Sequence, residues 1–230
     1  PAMRRAASLA LVAAALTAAG ASADPPAPYK VGVAKVDITP AHPIRLNGFG
    51  GRRAESDGVY QKVWARALAL HDGSAPLVLL TVDVLGIPAD IHDELARRLE
   101  KKAGLKRERL AITATHTHTG PMLKGANPTL FGVPIPPEHQ ANIDRYTPVF
   151  IDRLEEAALT AMKDLRPARV EWGVGSATFA KNRRAAGGPT DHDLPVLVVR
   201  DPGGVLRAVY LGYACHAVTL SHNRVAGDWP

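Results

Sequence analysis

Cysteine is almost missing from this sequence: Cys215 is the only one among 230 residues. A disulfide framework and a multi-cysteine zinc site are therefore excluded within the chain. Aromatic residues make up only 5%, but 46% of the residues are hydrophobic and 22% are charged. These fractions are ordinary for a globular protein and exclude a collagen, a coiled coil or a disordered tail. Nine histidines are present, so any transition metal must be held by nitrogen and oxygen ligands.

The sequence also lacks a cluster of basic residues. The formal net charge is +6, yet the lysines and arginines are scattered along the chain. This distribution favours solubility rather than a nucleic-acid partner.

Residues 3–23 have the pattern of an export signal. Two arginines precede an apolar run, and Ala-Ser-Ala then supplies the small residues that a signal peptidase needs. The run is too short for a membrane span, and a proline-rich stretch follows it. We therefore predict a signal peptide at residues 1–23, an exported (periplasmic or secreted) mature protein, and no transmembrane segment. The alternative is a buried Ala-rich helix.

Both ends of the sequence suggest a longer protein. Pro1 precedes Met3, and the chain stops at residues 227–230, a turn-like sequence with no closing element. We expect residues 24–230 to be the front part of a catalytic domain whose remainder is missing here.

Apolar periodicity predicts strands and two helices in an α/β fold of mixed β-sheets flanked by helices. A repeated strand–turn–strand pattern also allows two packed sheets with outer helices (α/β/β/α). A hairpin precedes a helix and a further strand, an order that favours a parallel crossover. The predicted helices are 89–103 and 147–165, the second with Pro148 in its first turn, and the predicted strands are 29–38, 59–70, 76–85, 109–115, 169–176, 195–200 and 206–215.

Two histidines follow the fourth predicted strand. His116 and His118 are two residues apart, so an extended chain would point both to the same side. The end of a strand is where α/β proteins place ligands. The two imidazoles could share a metal, or one could bind metal while the other contacts substrate. The alternative is two surface histidines.

A third histidine, His216, ends the last predicted strand. If the sheet brings His116, His216 and Asp83 together, they form a nitrogen and oxygen group of the kind that zinc prefers. Asp83 could equally orient a ligand imidazole without touching metal. By itself, His216 is also compatible with a satisfied core histidine.

A basic loop follows the fifth predicted strand and contains Arg183 and Arg184. Such a pair is often no more than solvated surface. The functional alternative is a guanidinium that binds a carbonyl or a carboxylate.

Several short segments follow one another along the chain: residues 33–40, 47–50, 66–67 with Asp83, 114–121, 182–183, 214–216 and 227–228. In this order they are an opening strand, a Gly loop, Arg and Asp in the next two strands, a histidine signature, an Asn-Arg element, a second histidine and a final turn. Together they resemble the front of the catalytic domain in the neutral/alkaline, non-lysosomal ceramidases.

This resemblance implies a zinc-dependent amidase that splits ceramide into sphingosine and a fatty acid. It implies that His116 and His216 are zinc ligands and that His118 and Arg183 are catalytic residues near the scissile amide. In this family a Glu and a Tyr from further along the chain complete the zinc shell. The partner would be a lipid or another N-acyl amide, and this stretch alone is expected to be inactive.

Three departures from the family pattern lie beside the expected site. The signature continues Thr119-Gly120-Pro121-Met122-Leu123 where Ser-Gly-Pro-Gly-Gly is usual, Arg184 stands where Ser is usual, and residues 217–219 are Ala-Val-Thr. They leave open a different amide or ester substrate, or a non-catalytic module that binds lipid or glycan. A serine hydrolase is disfavoured because no Gly-x-Ser-x-Gly segment occurs.

Overall fold

The structure is a computed structural model that describes residues 29–228. Its seven strands join in one sheet, in the order β4-β3-β2-β1-β5-β6-β7. The predicted signal peptide, residues 1–23, lies outside the described residues. The strands are β1 (Tyr29–Asp37), β2 (Trp64–His71), β3 (Pro76–Val82), β4 (Leu110–Ala114), β5 (Arg166–Ser176), β6 (Asp193–Arg200) and β7 (Leu206–Leu211), and the helices are α1 (Ala89–Ala103) and α2 (Pro137–Lys163).

The predicted hairpin and crossover are both confirmed. β2 and β3 pair antiparallel, while β3 and β4 pair parallel across α1. Ile91, Leu95 and Leu99 form the buried stripe of α1, because residues three and four apart share one helix face. Gly104 ends the helix in the left-handed conformation, at φ 66°. This unit places the ends of β3 and β4 at one edge of the sheet.

Both helices pack against one face of the sheet. Val78, Leu80 and Val82 of β3 share a buried core with Phe150 and Leu154 of α2. Gly32 lets α2 approach β1 directly, because a Cβ at this position would lie 1.9 Å from the carbonyl oxygen of Ala161. The predicted mixed sheet with flanking helices is confirmed. Within residues 29–228 all strands join one sheet, so no second packed sheet forms there.

The second helix begins ten residues before the predicted start, at Pro137 rather than Thr147. The prediction was wrong because Pro148 lies inside the helix and does not begin it. Its ring is exposed, and Ile143 and Tyr146 extend the buried stripe upstream. Proline removes one helical hydrogen bond, a loss that burial of this longer stripe offsets.

Several strand ends also differ from the prediction: β2 begins at Trp64 rather than at residue 59, and β3 ends at Val82 rather than at residue 85. β4 stops at Ala114 and β7 at Leu211, so His116 and His216 both lie in loops beyond the strands. Neither helix within residues 29–228 combines the length and the apolar character needed to cross a bilayer.

Candidate functional site

Three histidines meet beyond the end of β4. The ring centroids of His116 and His118 are 5.1 Å apart, and those of His118 and His216 are 4.6 Å apart. One ligand nitrogen from each ring lies within 4.8 Å of the other two. The structure thus brings together the three histidines that the sequence singled out, in a group that could hold a metal ion.

His116 reaches this group through a turn and not through extended chain. Its φ of 59° is left-handed, a conformation that few non-glycine residues adopt. The two side chains do lie together, as expected, but the expected cause, an extended backbone, was wrong. The His116 Nδ1 atom lies 2.8 Å from the carbonyl oxygen of Leu85. Because a carbonyl only accepts, Nδ1 carries the proton, and Nε2 keeps its lone pair.

The spacing between His116 and His216 suits a shared cation. Their Nε2 atoms are 3.2 Å apart. Two nitrogens bound tetrahedrally to zinc at about 2.0–2.1 Å would lie roughly 3.3 Å from each other. A ligand histidine commonly donates its other N–H to a backbone carbonyl, as His116 does to Leu85. The donor set and the spacing therefore fit a zinc ion.

His118 is the buried member of the group. Only 8% of its surface is exposed, and neither ring nitrogen has a hydrogen-bond partner among the described residues. Burial, followed by the charges of His216 and His116, lowers the pKa of His118 to about 4. The ring is therefore neutral at pH 7. It packs against Phe49, with ring centroids 5.0 Å apart.

Gly48 forms the wall behind His118. Its φ is 102°, and a Cβ there would lie 2.5 Å from Cγ and Nδ1 of the His118 ring. Only glycine combines that backbone angle with so close an approach. This contact gives the predicted Gly loop a specific role in placing the imidazole.

A strap of hydrogen bonds, formed by backbone groups and by threonine hydroxyls, joins the two histidine loops. The His118 N–H donates to the Ala217 carbonyl at 3.2 Å. The hydroxyls of Thr117 and Thr119 both donate to the Ala226 carbonyl. These bonds connect the loop that carries His116 to the segment that follows His216.

Asp228 completes that strap. Its Oδ1 accepts from the Thr219 N–H at 3.1 Å, and its Oδ2 accepts from the Leu220 N–H at 3.0 Å. Asp228 lies at φ 62°, a left-handed angle that Asp and Asn tolerate better than most residues. The carboxylate therefore fixes the backbone three residues beyond His216.

Arg52 is a site residue that the sequence did not single out. Its guanidinium donates to the carbonyls of His118 and His222 and lies over the Phe49 ring, 4.6 Å from the centroid. Burial lowers its pKa. A single Arg in a Gly-rich loop has no diagnostic spacing, so only the folded structure could assign it to this loop contact.

Asp83 does not join the histidines. Its carboxylate accepts from the Trp64 N–H at 2.8 Å and from the Arg66 guanidinium at 2.9 Å. The metal-ligand group found among residues 29–228 contains only the three histidines. Burial raises the pKa of Asp83 despite the Arg66 charge. The two expected roles of Asp83, ligand or orienter of an imidazole, are therefore wrong for the described structure.

An open pocket of about 410 Å³ lies over the histidines. His116 and His216 line it together with Lys181, Arg183 and Arg184. Arg183, the expected catalytic arginine, thus shares a pocket with two of the three histidines. Burial is the main cause that lowers the pKa of His216, with His116 and the two arginines adding to it. A larger cleft of about 560 Å³, between β1 and α2, contains none of these side chains.

The sequence profile of neutral/alkaline non-lysosomal ceramidases, for their N-terminal part, matches residues 29–187. The chain belongs to this ceramidase family. The resemblance seen in the sequence is therefore confirmed. A neutral ceramidase from Drosophila pseudoobscura pseudoobscura is 32% identical over 100 residues, which are 41% of this chain and 14% of that relative.

Two solved ceramidase structures share the fold. The crystal structure of the neutral ceramidase from Pseudomonas aeruginosa superposes with a TM-score of 0.71 at 23% identity, over 87% of this chain and 34% of that one. A ceramidase complexed with C2 gives the same TM-score and identity, over 33% of its length. The chain thus spans about a third of the solved ceramidases that it matches.

Proposed function

We propose that this chain is the front part of an exported, zinc-dependent amidohydrolase that cleaves the N-acyl amide bond of ceramide or a related N-acyl lipid. Membership of the ceramidase family supports the reaction type. The observation that carries the proposal is the 3.2 Å separation between the Nε2 atoms of His116 and His216.

In this proposal His116 and His216 hold the zinc. The donated proton on His116 Nδ1 leaves its Nε2 free to coordinate. When bound, zinc supplies a Lewis acid for amide hydrolysis. Further ligands would come from the part of the catalytic domain beyond residue 230, because two imidazoles leave a tetrahedral site incomplete.

His118 and Arg183 act on the substrate side. Hydrolysis breaks the amide C–N bond: the hydroxyl of water goes to the acyl carbon, and a proton goes to the departing amine nitrogen. His118 is neutral at pH 7, so it can accept a proton beside the reacting bond. Arg183 presents fixed donors to the carbonyl oxygen of the scissile amide, from the same pocket.

Export and domain extent are part of the same proposal. The pattern of residues 3–23 supports a signal peptide. The described residues match about a third of each solved ceramidase, which supports residues 24–230 as the front of a larger catalytic domain.

The test uses the protein encoded by the full gene and a short-chain ceramide as substrate. We expect release of fatty acid that stops on chelation and returns with added zinc, and loss of activity in His216→Ala. His71→Ala is the matched control. His71 is the last residue of β2 and pairs with Pro76 at the start of β3, at the end of the strands opposite the three histidines. Activity that survives both chelation and His216→Ala would overturn the proposal.

A further inference from the structure

Three cationic side chains face the same pocket as the zinc-binding histidines. Lys181, Arg183 and Arg184 are exposed and line it beside His116 and His216. Among residues 29–228, those that line this pocket include no acidic side chain. Among the ion pairs formed within residues 29–228, none joins these three cations to a carboxylate.

The loop that carries the cations is held by its own side chain, Asn182. The Asn182 Oδ1 accepts from the N–H groups of Arg184 and Ala185, both at 3.0 Å. Its Nδ2 donates to the Pro189 carbonyl at 3.1 Å. Such a turn, closed by an Asn side chain, fixes the backbone that presents the two arginines.

One tyrosine connects this loop to the His216 segment. The Tyr213 hydroxyl donates to the Ala177 carbonyl at 2.6 Å and accepts from the Ala180 N–H at 3.1 Å. The Tyr213 and Phe179 rings also pack, with centroids 4.6 Å apart. The cations are therefore tied to the chain three residues before His216.

The cations of this loop and the imidazoles of His116 and His216 line one pocket. A zinc ion would add two more positive charges to the same space. With Arg183 facing the amide carbonyl, Lys181 and Arg184 are the two further cations that line the pocket, and such groups match a carboxylate or a phosphate with charge-assisted hydrogen bonds.

We infer that the substrate of this enzyme is an N-acyl amide that carries an anionic group close to the scissile bond, held by Lys181 and Arg184 beside the Arg183 that faces the amide carbonyl. The inference rests on the proposed amidohydrolase function and narrows its substrate class. The shared chemistry is an anion on the amine side; a carboxylate, as in an N-acyl amino acid, and a phosphate both provide it.

Three probes with one acyl chain test the charge preference. They are N-hexanoylglycine, the phosphate ester of N-hexanoylethanolamine, and neutral N-hexanoylethanolamine. We expect kcat/KM to be at least about tenfold higher for one or both anionic probes than for the neutral one. The better of the two anions identifies carboxylate or phosphate as the group. Equal rates for all three, or the highest rate for the neutral probe, would overturn the inference.

Variants test which side chains cause the preference for anionic probes. Arg184→Gln should reduce the anionic preference by about threefold or more, because it removes one of the charges that hold the anion. Lys101→Gln removes the same charge from the last turn of α1 and should leave the preference unchanged. Raising NaCl from about 0.05 M to 0.5 M should shrink the preference of the unmodified enzyme, since exposed charges are screened.

Binding separates this inference from the proposed function. Calorimetry on the full-length protein after chelation measures affinity for N-hexanoylglycine and for N-hexanoylethanolamine without turnover. Tighter binding of the anion with no hydrolysis of any probe would support an anion-binding site at Lys181 and Arg184 and overturn the amidohydrolase proposal. Hydrolysis with no charge preference in binding or rate would support the amidohydrolase proposal and overturn the inference of an anionic substrate.

Discussion

The Nε2 atoms of His116 and His216 lie 3.2 Å apart, although a hundred residues separate them in the chain. Each follows a different strand, β4 or β7, and a loop brings each ring to the other. The Leu85 carbonyl sets the tautomer of one ring, while Asp228 and Ala226 hold the loops. These contacts hold the two loops so that the imidazoles of His116 and His216 lie next to each other.

The three histidines should differ in what they contribute to metal binding. We expect His116→Ala and His216→Ala to abolish stoichiometric zinc binding by the full-length protein, measured by mass spectrometry of the native protein. His118→Ala should keep the zinc but lose most of the activity, because the role proposed for His118 is on the substrate side. Loss of zinc in His118→Ala would instead make His118 a third ligand.

Gly48 should tolerate no side chain. Gly48→Ala places a Cβ 2.5 Å from the His118 ring and strains a φ of 102°, so we expect a loss of about 1–3 kcal/mol of stability together with lost activity. Gly51→Ala is the control, because its Cβ would meet nothing within 4 Å. Urea denaturation and the hydrolysis assay compare the two. Equal behaviour of both variants would contradict the wall assigned to Gly48.

Much of the scaffold could be predicted because it depends on local pattern. The buried stripe of α1 and the apolar run of β3 specify a strand–helix–strand unit, and the structure has it. The start of α2 could not be predicted in this way. Pro148 is a start signal in the local sequence, whereas the long-range burial of Ile143 and Tyr146 continues the helix through it.

Asp228 should matter more for zinc than for folding. Asp228→Ala removes the acceptor for two backbone N–H groups beyond His216, and we expect the zinc dissociation constant to rise about tenfold or more. Asp228→Asn keeps one acceptor oxygen and should show a smaller effect. Competition with a chelating dye measures both.

A second capping aspartate provides the control for that experiment. Asp201 accepts from the Val205 N–H at 2.8 Å in the turn between β6 and β7. Asp201→Ala should cost stability, by about 1 kcal/mol, without changing the affinity for zinc. A similar loss of zinc affinity in both variants would show that Asp228 acts only through general stability.

Asp83 should make folding stability fall as the pH rises. Burial raises its pKa above the ordinary value of 3.8, so between the two values the native state binds more protons than the unfolded state. Stability relative to Asp83→Asn is therefore greatest below pH 3.8 and declines as the pH passes through the raised native pKa. Urea denaturation of both proteins from about pH 2 to 7 measures this difference.

Asp72 should make folding stability change with pH in the opposite direction in the same experiment. Hydrogen bonds from Ser74 lower the pKa of Asp72 to about 2. Its contribution to stability is present above the unfolded value and is lost as the pH falls through about 2. If Asp83 behaved like Asp72, the bonds from Arg66 and Trp64 would outweigh its burial.

The sequence predicted which three histidines form the group, but it did not predict how they are arranged. Motif and family resemblance picked His116, His118 and His216, and the structure brings them together. Three features needed the folded chain: the left-handed φ of His116, the Arg52 guanidinium on the His118 carbonyl, and the diversion of Asp83 to Arg66. Each depends on segments distant in sequence, and no local spacing encodes them.

In the proposed site, His116 and His216 bind one zinc ion between their Nε2 atoms. Anomalous diffraction at the zinc edge, from crystals of the full-length protein grown with zinc, tests it directly. We expect a zinc peak at about 2.0–2.1 Å from both Nε2 atoms. A map with zinc peaks elsewhere on the protein and none between these two nitrogens would contradict it.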